Sequence, residues 1–480
     1  MVRPELRISE ADWRRIREDL DRSFRSEHGH ERGALAVLGE IRTEGRHVFT
    51  VAEVLMPEPG DVDASRGGLT FRSHYIRRAH LRMRSRALAG IATFHTHPLA
   101  DDEVDFSPFD DSQDPPLIAN LTELADETRL VSVVLGRRSQ AARVWTSDRC
   151  IEPLSHLTVV GERFVRLPLD GTPPPPAPGV AAAFDRAAAL TDAGALALLR
   201  SLTVAVVGVS GIGSLVAELL GRAGCGRVLL VDDERVGDEN LNRILYATTA
   251  HARARVVKVG LLADAVNGTG LGTVAEPIEG NVLVDEVLTR LRGADLIIGC
   301  VDRAWPRDLL SAFSFRSLIP YIDLGTEIGT DDKAIAVESL DARVSYVAPG
   351  RWCLVCAGFV DPRRVAFESQ TTEERKRIVD QGYSDDLLLR QPAVMELNMR
   401  AASLGVLVLR HLLQPFLPEP LPVAIKENLA MLSLRLITDP RSPRERCPIC
   451  RDNLTFGYGD CAPALGYPKA AVDARVKRGG

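Results

Sequence analysis

Leu202-Thr-Val-Ala-Val-Val207 runs into Gly208-Val-Ser-Gly211-Ile-Gly213, and Val228-Leu-Leu-Val231-Asp232 and Asn240-Leu-Asn-Arg243 follow. An apolar run, a glycine turn, a helix-length spacer, a second apolar run and an acid spell a nucleotide-binding βαβ unit. The glycines allow close backbone approach, and the helix start behind them presents unpaired N–H groups to phosphates. Asp232 stands where ribose hydroxyls would be bound. Alone, the stretch says only that a nucleotide binds.

The residues downstream choose a chemistry. Glu234 and Asn240-Leu-Asn-Arg243 precede Lys258, which lies on a predicted helix over 254–266. A predicted strand, Ala294-Asp-Leu-Ile-Ile-Gly, ends at Cys300-Val-Asp302, with Arg307 beyond. Hydride transfer does not need this set of charges. Attack of a carboxylate on the α-phosphate of ATP does, because the developing negative charge must be met by magnesium, arginine and lysine.

Over residues 180–455 this set resembles the ThiF/MoeB family and the adenylation domains of ubiquitin-activating enzymes. The resemblance implies a Rossmann-like domain in which Gly208, Gly211 and Gly213 form the phosphate loop and Asp232 holds the ribose. It implies that Asn240, Arg243 and Lys258 contact the phosphates and that Asp302 holds magnesium. Arg186, in Phe184-Asp-Arg186, takes the place of an arginine that reaches a partner subunit's site, which implies a homodimer. Cys353-Leu-Val-Cys356 and Cys447-Pro-Ile-Cys450 have the spacing of a four-thiolate structural zinc site; a redox role for either pair is the alternative. The segment 357–392 has no cysteine where ubiquitin-activating enzymes carry a thioester-forming one, so the acyl group would stop at the adenylate or pass to another protein's thiol, such as a conjugating enzyme's.

The first third carries a second constellation. Trp13, Ile16, Leu20 and Phe24 have helical spacing, two β-like runs follow Glu31, and a helix-like stretch over 75–88 leads into His95-Thr-His97-Pro98. Two histidines one residue apart at a strand end face the same way, as metal ligands must. With His95, His97 and Asp110 as ligands, zinc would keep one position open for water. Glu31 would accept that water's proton, and Ser107 would donate to the oxyanion. The acidic run from Asp101 to Asp114 also reads as a solvated loop. Glu31, His95-Thr-His97-Pro98 and Ser107-Pro-Phe-Asp110 together resemble the JAB/MPN metalloproteases, over residues 8–150. That resemblance implies cleavage of peptide or isopeptide bonds after the terminal glycine of ubiquitin-like proteins. The interval from Pro98 to Ser107 is longer than usual in that family, which leaves Asp105 and Asp111 as rival ligands.

The expected fold class is therefore α/β: a JAB/MPN-like metallohydrolase domain over 1–168, a proline-rich linker over 169–180, an adenylation domain over 181–455 and a tail over 456–480. The 480 residues and 45% hydrophobic content suit more than one core. A net charge of -6 gives no nucleic-acid footprint, and the basic run 77–86 reads as a helix face. No apolar run reaches membrane-spanning length and the first residues lack a signal peptide's apolar core, so a cytoplasmic protein is expected. Cys150, Cys225, Cys300 and Cys461 read as buried packing, with a mobile thiol as the alternative for Cys461 alone, because it lies in the tail. The terminal Gly479-Gly480 matches a ubiquitin-like end by chance. The expected function is two-headed: a zinc (iso)peptidase trimming or removing a ubiquitin-like protein, and an ATP/magnesium-dependent adenylyltransferase acting on its terminal glycine. The alternatives are activation of a sulfur-carrier protein in cofactor, cysteine or siderophore synthesis, a non-catalytic scaffold for ubiquitin-like tails, and, more distantly, an NAD-dependent dehydrogenase.

Overall fold

A computed structural model describes residues 3–25, 29–65, 67–147, 150–169, 181–187, 192–330, 337–380 and 394–476. The proline-rich stretch 170–180, the crossover residues 381–391 and the terminal glycines lie outside them. Two compact units result: Met1–Pro173 with Arg316–Leu318 and Leu454–Pro463, and Pro174–Phe315 with Ile319–Asn453 and Ala464–Gly480.

The first unit contains β1 (Glu5–Ser9), α1 (Glu10–Leu20), β2 (Gly33–Thr43), β3 (Arg46–Leu55), the hairpin β4 (Val62–Ala64) and β5 (Leu69–Phe71), and α2 (Ser73–Ser85). It continues with β6 (Gly90–Thr96), α3 (Pro108–Leu124), β7 (Arg129–Leu135), β8 (Gln140–Ser147), β9 (Cys150–Pro153), β10 (His156–Val160) and β11 (Phe164–Pro168). Nine strands form one sheet in the order β11-β10-β1-β3-β2-β6-β7-β8-β9. Strand alternation splits its side chains between two cores. Ala34, Ala36 and Leu38 join Ile16 and Leu20 of α1 on one face, whereas Leu35 and Val37 join Tyr75, Ala79 and Met83 of α2 and Leu121 of α3 on the other. Ser9 caps α1 by accepting the Asp12 N–H at 3.0 Å, and the helical spacing that runs from Trp13 to Phe24 passes at Leu20 from α-helix into a 3-10 turn.

The second unit contains α4 (Ala181–Phe184), α5 (Ala193–Ser201), β12 (Thr203–Val207), α6 (Gly211–Ala223), β13 (Arg227–Asp232), α7 (Thr249–Arg253), α8 (Lys258–Gly268), β14 (Val274–Glu279), α9 (Asp285–Leu291) and β15 (Leu296–Gly299). Then come α10 (Ala304–Ser317), β16 (Tyr321–Thr330), β17 (Val337–Val347), α11 (Leu354–Ala357), α12 (Pro362–Glu368), α13 (Thr372–Asp380), α14 (Met395–Leu413), β18 (Ala424–Asn428), β19 (Ser433–Ile437) and α15 (Lys469–Val476). Its sheet runs β14-β13-β12-β15-β16-β17-β18-β19. The first five strands are parallel and the last three antiparallel. Strands buried on both faces explain the unbroken apolar runs at 204–207 and 228–231. The chain winds outward from β12 to β14, then returns to place β15 on the other side of β12. Such a reversal opens a crevice at the carboxyl ends of the two strands.

The segment expected as a terminal tail divides between the units. In the first, the Gly457 carbonyl accepts the Thr50 hydroxyl at 2.6 Å, and Tyr458 takes a hydrogen bond from Arg86 at 2.8 Å. Cys461 packs against the α2 core and burial pushes its thiol up, as for a packing cysteine rather than a mobile nucleophile. In the second, the Asp285 N–H reaches the Tyr467 carbonyl at 3.0 Å. Among the described residues no helix is long and apolar enough to cross a membrane.

Candidate functional site

Val207 pairs with Gly299 across β12 and β15, so the glycine loop and Cys300-Val-Asp302 leave the sheet side by side. Gly208 has φ +85°, and its N–H bonds the Val231 carbonyl at 2.8 Å. A side chain there would need the left-handed conformation and would press on the Cys300 carbonyl. The Asp232 carboxylate ends β13 and accepts the Val209 N–H at 2.8 Å and the Glu234 N–H at 2.8 Å. Burial pushes Asp232 up to about 6, against the pull of Lys258 and of these two N–H groups. Lys258, fully buried at the start of α8, donates to Glu234 at 2.6 Å.

Asn240 is buried and accepts the Gly237 N–H at 3.0 Å, so its side chain shapes the turn that precedes Arg243. Arg243 bonds the Glu239 carbonyl, and its stem lies 3.3 Å from where a Gly211 methyl would stand. Asp302 is exposed at the crevice mouth; Arg307 donates to the neighbouring Val301 carbonyl at 3.0 Å. Arg186 is exposed, two residues beyond Phe184, whose ring packs where a Gly224 side chain would point. Gly224 caps the far end of α6, roughly 20 Å from the glycine loop at 1.5 Å per residue. The structure thus gathers the glycines, Asp232, Lys258, Arg243 and Asp302 about one crevice, and does not bring Arg186 to the loop of its own chain.

Cys353, Cys356, Cys447 and Cys450 are all buried, with their sulfurs within 4.8 Å of one another. Cys353 and Cys447 stand 3.6 Å apart, and a tetrahedral zinc with bonds of about 2.3 Å separates sulfurs by roughly 3.8 Å. Hydrogen bonding to Cys450, with burial, holds the Cys353 thiol well above its ordinary range. A divalent cation would take the place of the protons that these crowded sulfurs share.

In the first unit, antiparallel pairing of β2 with β6 puts Gly33 opposite His95. Glu31 lies just ahead of β2 and His97 just past β6, and the donor atoms of Glu31, His95 and His97 fall within 4.8 Å of one another. Asp110, in the first turn of α3, brings Oδ1 to 3.1 Å from His95 Nε2 and Oδ2 to 3.2 Å from His97 Nε2. His95 Nε2 is out of line for a hydrogen bond, and both it and Glu31 Oε2 are buried without a partner. Orphaned buried polar atoms facing one another fit a divalent cation. Burial pushes Glu31 up to about 7, with His97 opposing and Asp110 adding. Burial opposes His97 protonation, but Asp110 and Glu31 outweigh it and raise its value. Burial likewise disfavours the Asp110 anion, yet the His95 and His97 imidazoles beside it hold its carboxyl well below the usual range.

Ser107 is the N-cap of α3 in a capping box: its N–H and hydroxyl reach Asp110 Oδ2 at 2.7 and 2.8 Å. That hydroxyl is already donated to Asp110. Asp105 and Asp111 are exposed; Asp105 accepts the Phe106 N–H and Asp111 pairs with Arg143, so neither competes with Asp110 for the histidines.

Three features escaped the sequence. Asn398, buried on α14, stands against Gly211, marked in sequence only by being polar inside an apolar helix. Asp323 is wholly buried between Tyr321, Arg343 and Arg307 at 2.7, 2.7 and 3.5 Å. Asp114, on α3, accepts from Ser132, Arg143 and Trp145.

The sequence model of the ThiF family matches residues 184–432. Ubiquitin-like modifier-activating enzyme 5 of Caenorhabditis elegans is 28% identical over 170 residues, covering 33% of this chain and 38% of that protein. Protein HesA, vegetative, of Trichormus variabilis is 30% identical over 160 residues, covering 33% of this chain and 55% of that protein. Among solved structures, E. coli MccB with ATP aligns at a TM-score of 0.42 and 18% identity over 53% of this chain and 68% of that one. The chain spans about two fifths of the length of the first of these curated relatives. The family match lies in the second unit; the reading of the first rests on its side-chain geometry.

Proposed function

The chain belongs to the ThiF family, and on that premise we propose that its second unit adenylylates the C-terminal carboxylate of a ubiquitin-like or sulfur-carrier protein with ATP and magnesium. The observation that carries the reading is the convergence of the glycine loop, Asp232, Lys258 and Asp302 on the crevice where the sheet reverses. A carboxylate oxygen attacks the α-phosphorus while the bond to the β-phosphate breaks, giving an acyl adenylate and pyrophosphate. Asp232 accepts from the ribose hydroxyls, and the α6 N-terminus meets the phosphates. Arg243 and Lys258 would neutralise the phosphates, Asn240 would hydrogen-bond them, Asp302 would hold magnesium, and Arg186 would act in the site of a second copy. With no cysteine in 357–392, the product departs as the adenylate or passes to an external thiol or sulfur donor.

For the first unit we propose a zinc-dependent (iso)peptidase of the JAB/MPN kind, with His95, His97 and Asp110 as ligands. Zinc would supply an acidified water. Glu31, poised near neutrality, takes a proton and passes it to the leaving amine. For Ser107 to serve an oxyanion, its hydroxyl must trade the Asp110 bond for the substrate oxygen. The domain limits 1–168 and 181–455 stand as part of this proposal.

The test uses full-length protein with a ubiquitin-like protein extended past its terminal diglycine, and with the mature form. Glu31→Gln is expected to abolish trimming and spare pyrophosphate exchange, and Asp302→Ala to do the reverse. Loss of both activities in either variant would overturn two independent heads. A thiocarboxylate formed with a sulfur donor would assign the carrier-protein branch.

A further inference from the structure

Arg143 is a buried cation on strand β8, and its guanidinium partners flank Asp110 in sequence. Nη1 donates to Asp111 Oδ1 at 2.6 Å, while Nε and Nη2 donate to Asp114 Oδ2 at 3.1 and 2.8 Å. The guanidinium carbon lies 3.8 Å from the Phe106 ring centroid and 5.0 Å from that of Trp145. Asp114 also accepts the Trp145 indole N–H at 3.0 Å and the Ser132 hydroxyl at 2.9 Å, so it is fixed from the sheet side. Phe106 immediately precedes the N-cap Ser107, and its ring centroid is 6.3 Å from that of His95.

One planar side chain therefore holds the entry of α3 through Phe106 and its first two turns through Asp111 and Asp114. Asp110 lies between these anchors. A charge buried in this way is costly unless paired, and only arginine offers both a fork for two carboxylates and a flat face for a ring. We infer that Arg143 is a positioning residue that sets Asp110 against His95 and His97 and thereby governs the divalent-metal affinity of the first unit. This rests on reading that unit as a metal site.

The experiment is a zinc competition titration on full-length protein against a chromophoric chelator. It compares the natural sequence with Arg143→Lys, Arg143→Gln and His95→Ala and records melting temperature for each. Two zinc ions per chain are expected, one lost in His95→Ala. The same ion should bind about 10- to 100-fold more weakly in Arg143→Gln, as for other residues that orient metal ligands. Arg143→Lys keeps the charge but not the fork, and should fall between the two with an unchanged melting temperature. If the glutamine variant does not fold, the lysine variant decides. Natural affinity in Arg143→Lys and in any folded Arg143→Gln overturns the inference, as does equal weakening at the four-cysteine site, which marks general loosening. A natural protein with one zinc, unaltered by His95→Ala, overturns instead the metal reading beneath it.

Discussion

Two glycine-to-alanine exchanges in the second unit should act in opposite directions. A Cβ on Gly213 would meet the Gly208 carbonyl oxygen so closely that it would have to retreat by more than an ångström to reach even 3.0 Å. Gly208 cannot make that room easily: its N–H is bonded to Val231, and its left-handed φ places it against the Cys300 carbonyl. Forced shifts of this kind cost about 1–3 kcal/mol in stability. The effect on function should be larger, because misplacing a reacting group by about 1 Å costs on the order of 100-fold in rate. Gly260, inside α8, offers the contrast, since a Cβ there meets nothing within 4 Å. Gly260→Ala should stabilise the protein by about 0.5–1 kcal/mol through helix propensity, with pyrophosphate exchange unchanged. Urea unfolding and ATP titration of both variants, side by side, measure the two effects. Gly213→Ala retaining natural ATP affinity and exchange rate would refute the placement of nucleotide phosphates at this loop.

Two shorter expectations accompany it. Asp232 lies near the Lys258–Glu234 pair and is raised from 3.8 to about 6, so its contribution to folding stability is fully present below pH 3.8 and lost as pH rises through about 6. On the proposed reading, ribose binding needs the carboxylate as acceptor and runs the other way: the KM for ATP should climb as pH falls below about 6, and in Asp232→Asn that acid limb should vanish. Cys450→Ser should remove one zinc per chain, counted by native mass spectrometry, and make the second unit sensitive to limited proteolysis, because a structural zinc contributes about 10 kcal/mol or more of folding free energy.

How legible each element is in the sequence follows from how local its cause is. The runs at 204–207 and 228–231 announce parallel strands because both faces are buried and no alternation is needed. The glycine turn is equally local, since its φ and its tightness are properties of neighbouring residues. His95 and His97 can be paired by strand period alone, but their meeting with Glu31 depends on the β2–β6 register, which sequence spacing does not state. Arg186 is harder still, because its proposed partner is another copy of the chain.

The acidic run after Pro98 shows where such reading stops. Asp101, Asp102, Glu103, Asp105, Asp110, Asp111 and Asp114 look alike in sequence, and a solvated loop explains most of them. The local signal within it is Ser107-Pro-x-Asp110, a capping box with proline at the first helical position. It argues for a helix start, while Pro115 and Pro116, within the next two turns, argue against continuing one. The helix persists because Ile118 and Leu121 are fully buried and Asp114 is tied to β7 and β8 through Ser132, Arg143 and Trp145. Helical spacing of four then turns Asp110 and Asp114 toward the sheet, the first onto two imidazoles and the second onto a guanidinium. Proposed ligand and proposed support are thus the same residue type on one helix stripe, and only the strand each faces, β6 for Asp110 and β8 for Asp114, gives them different surroundings.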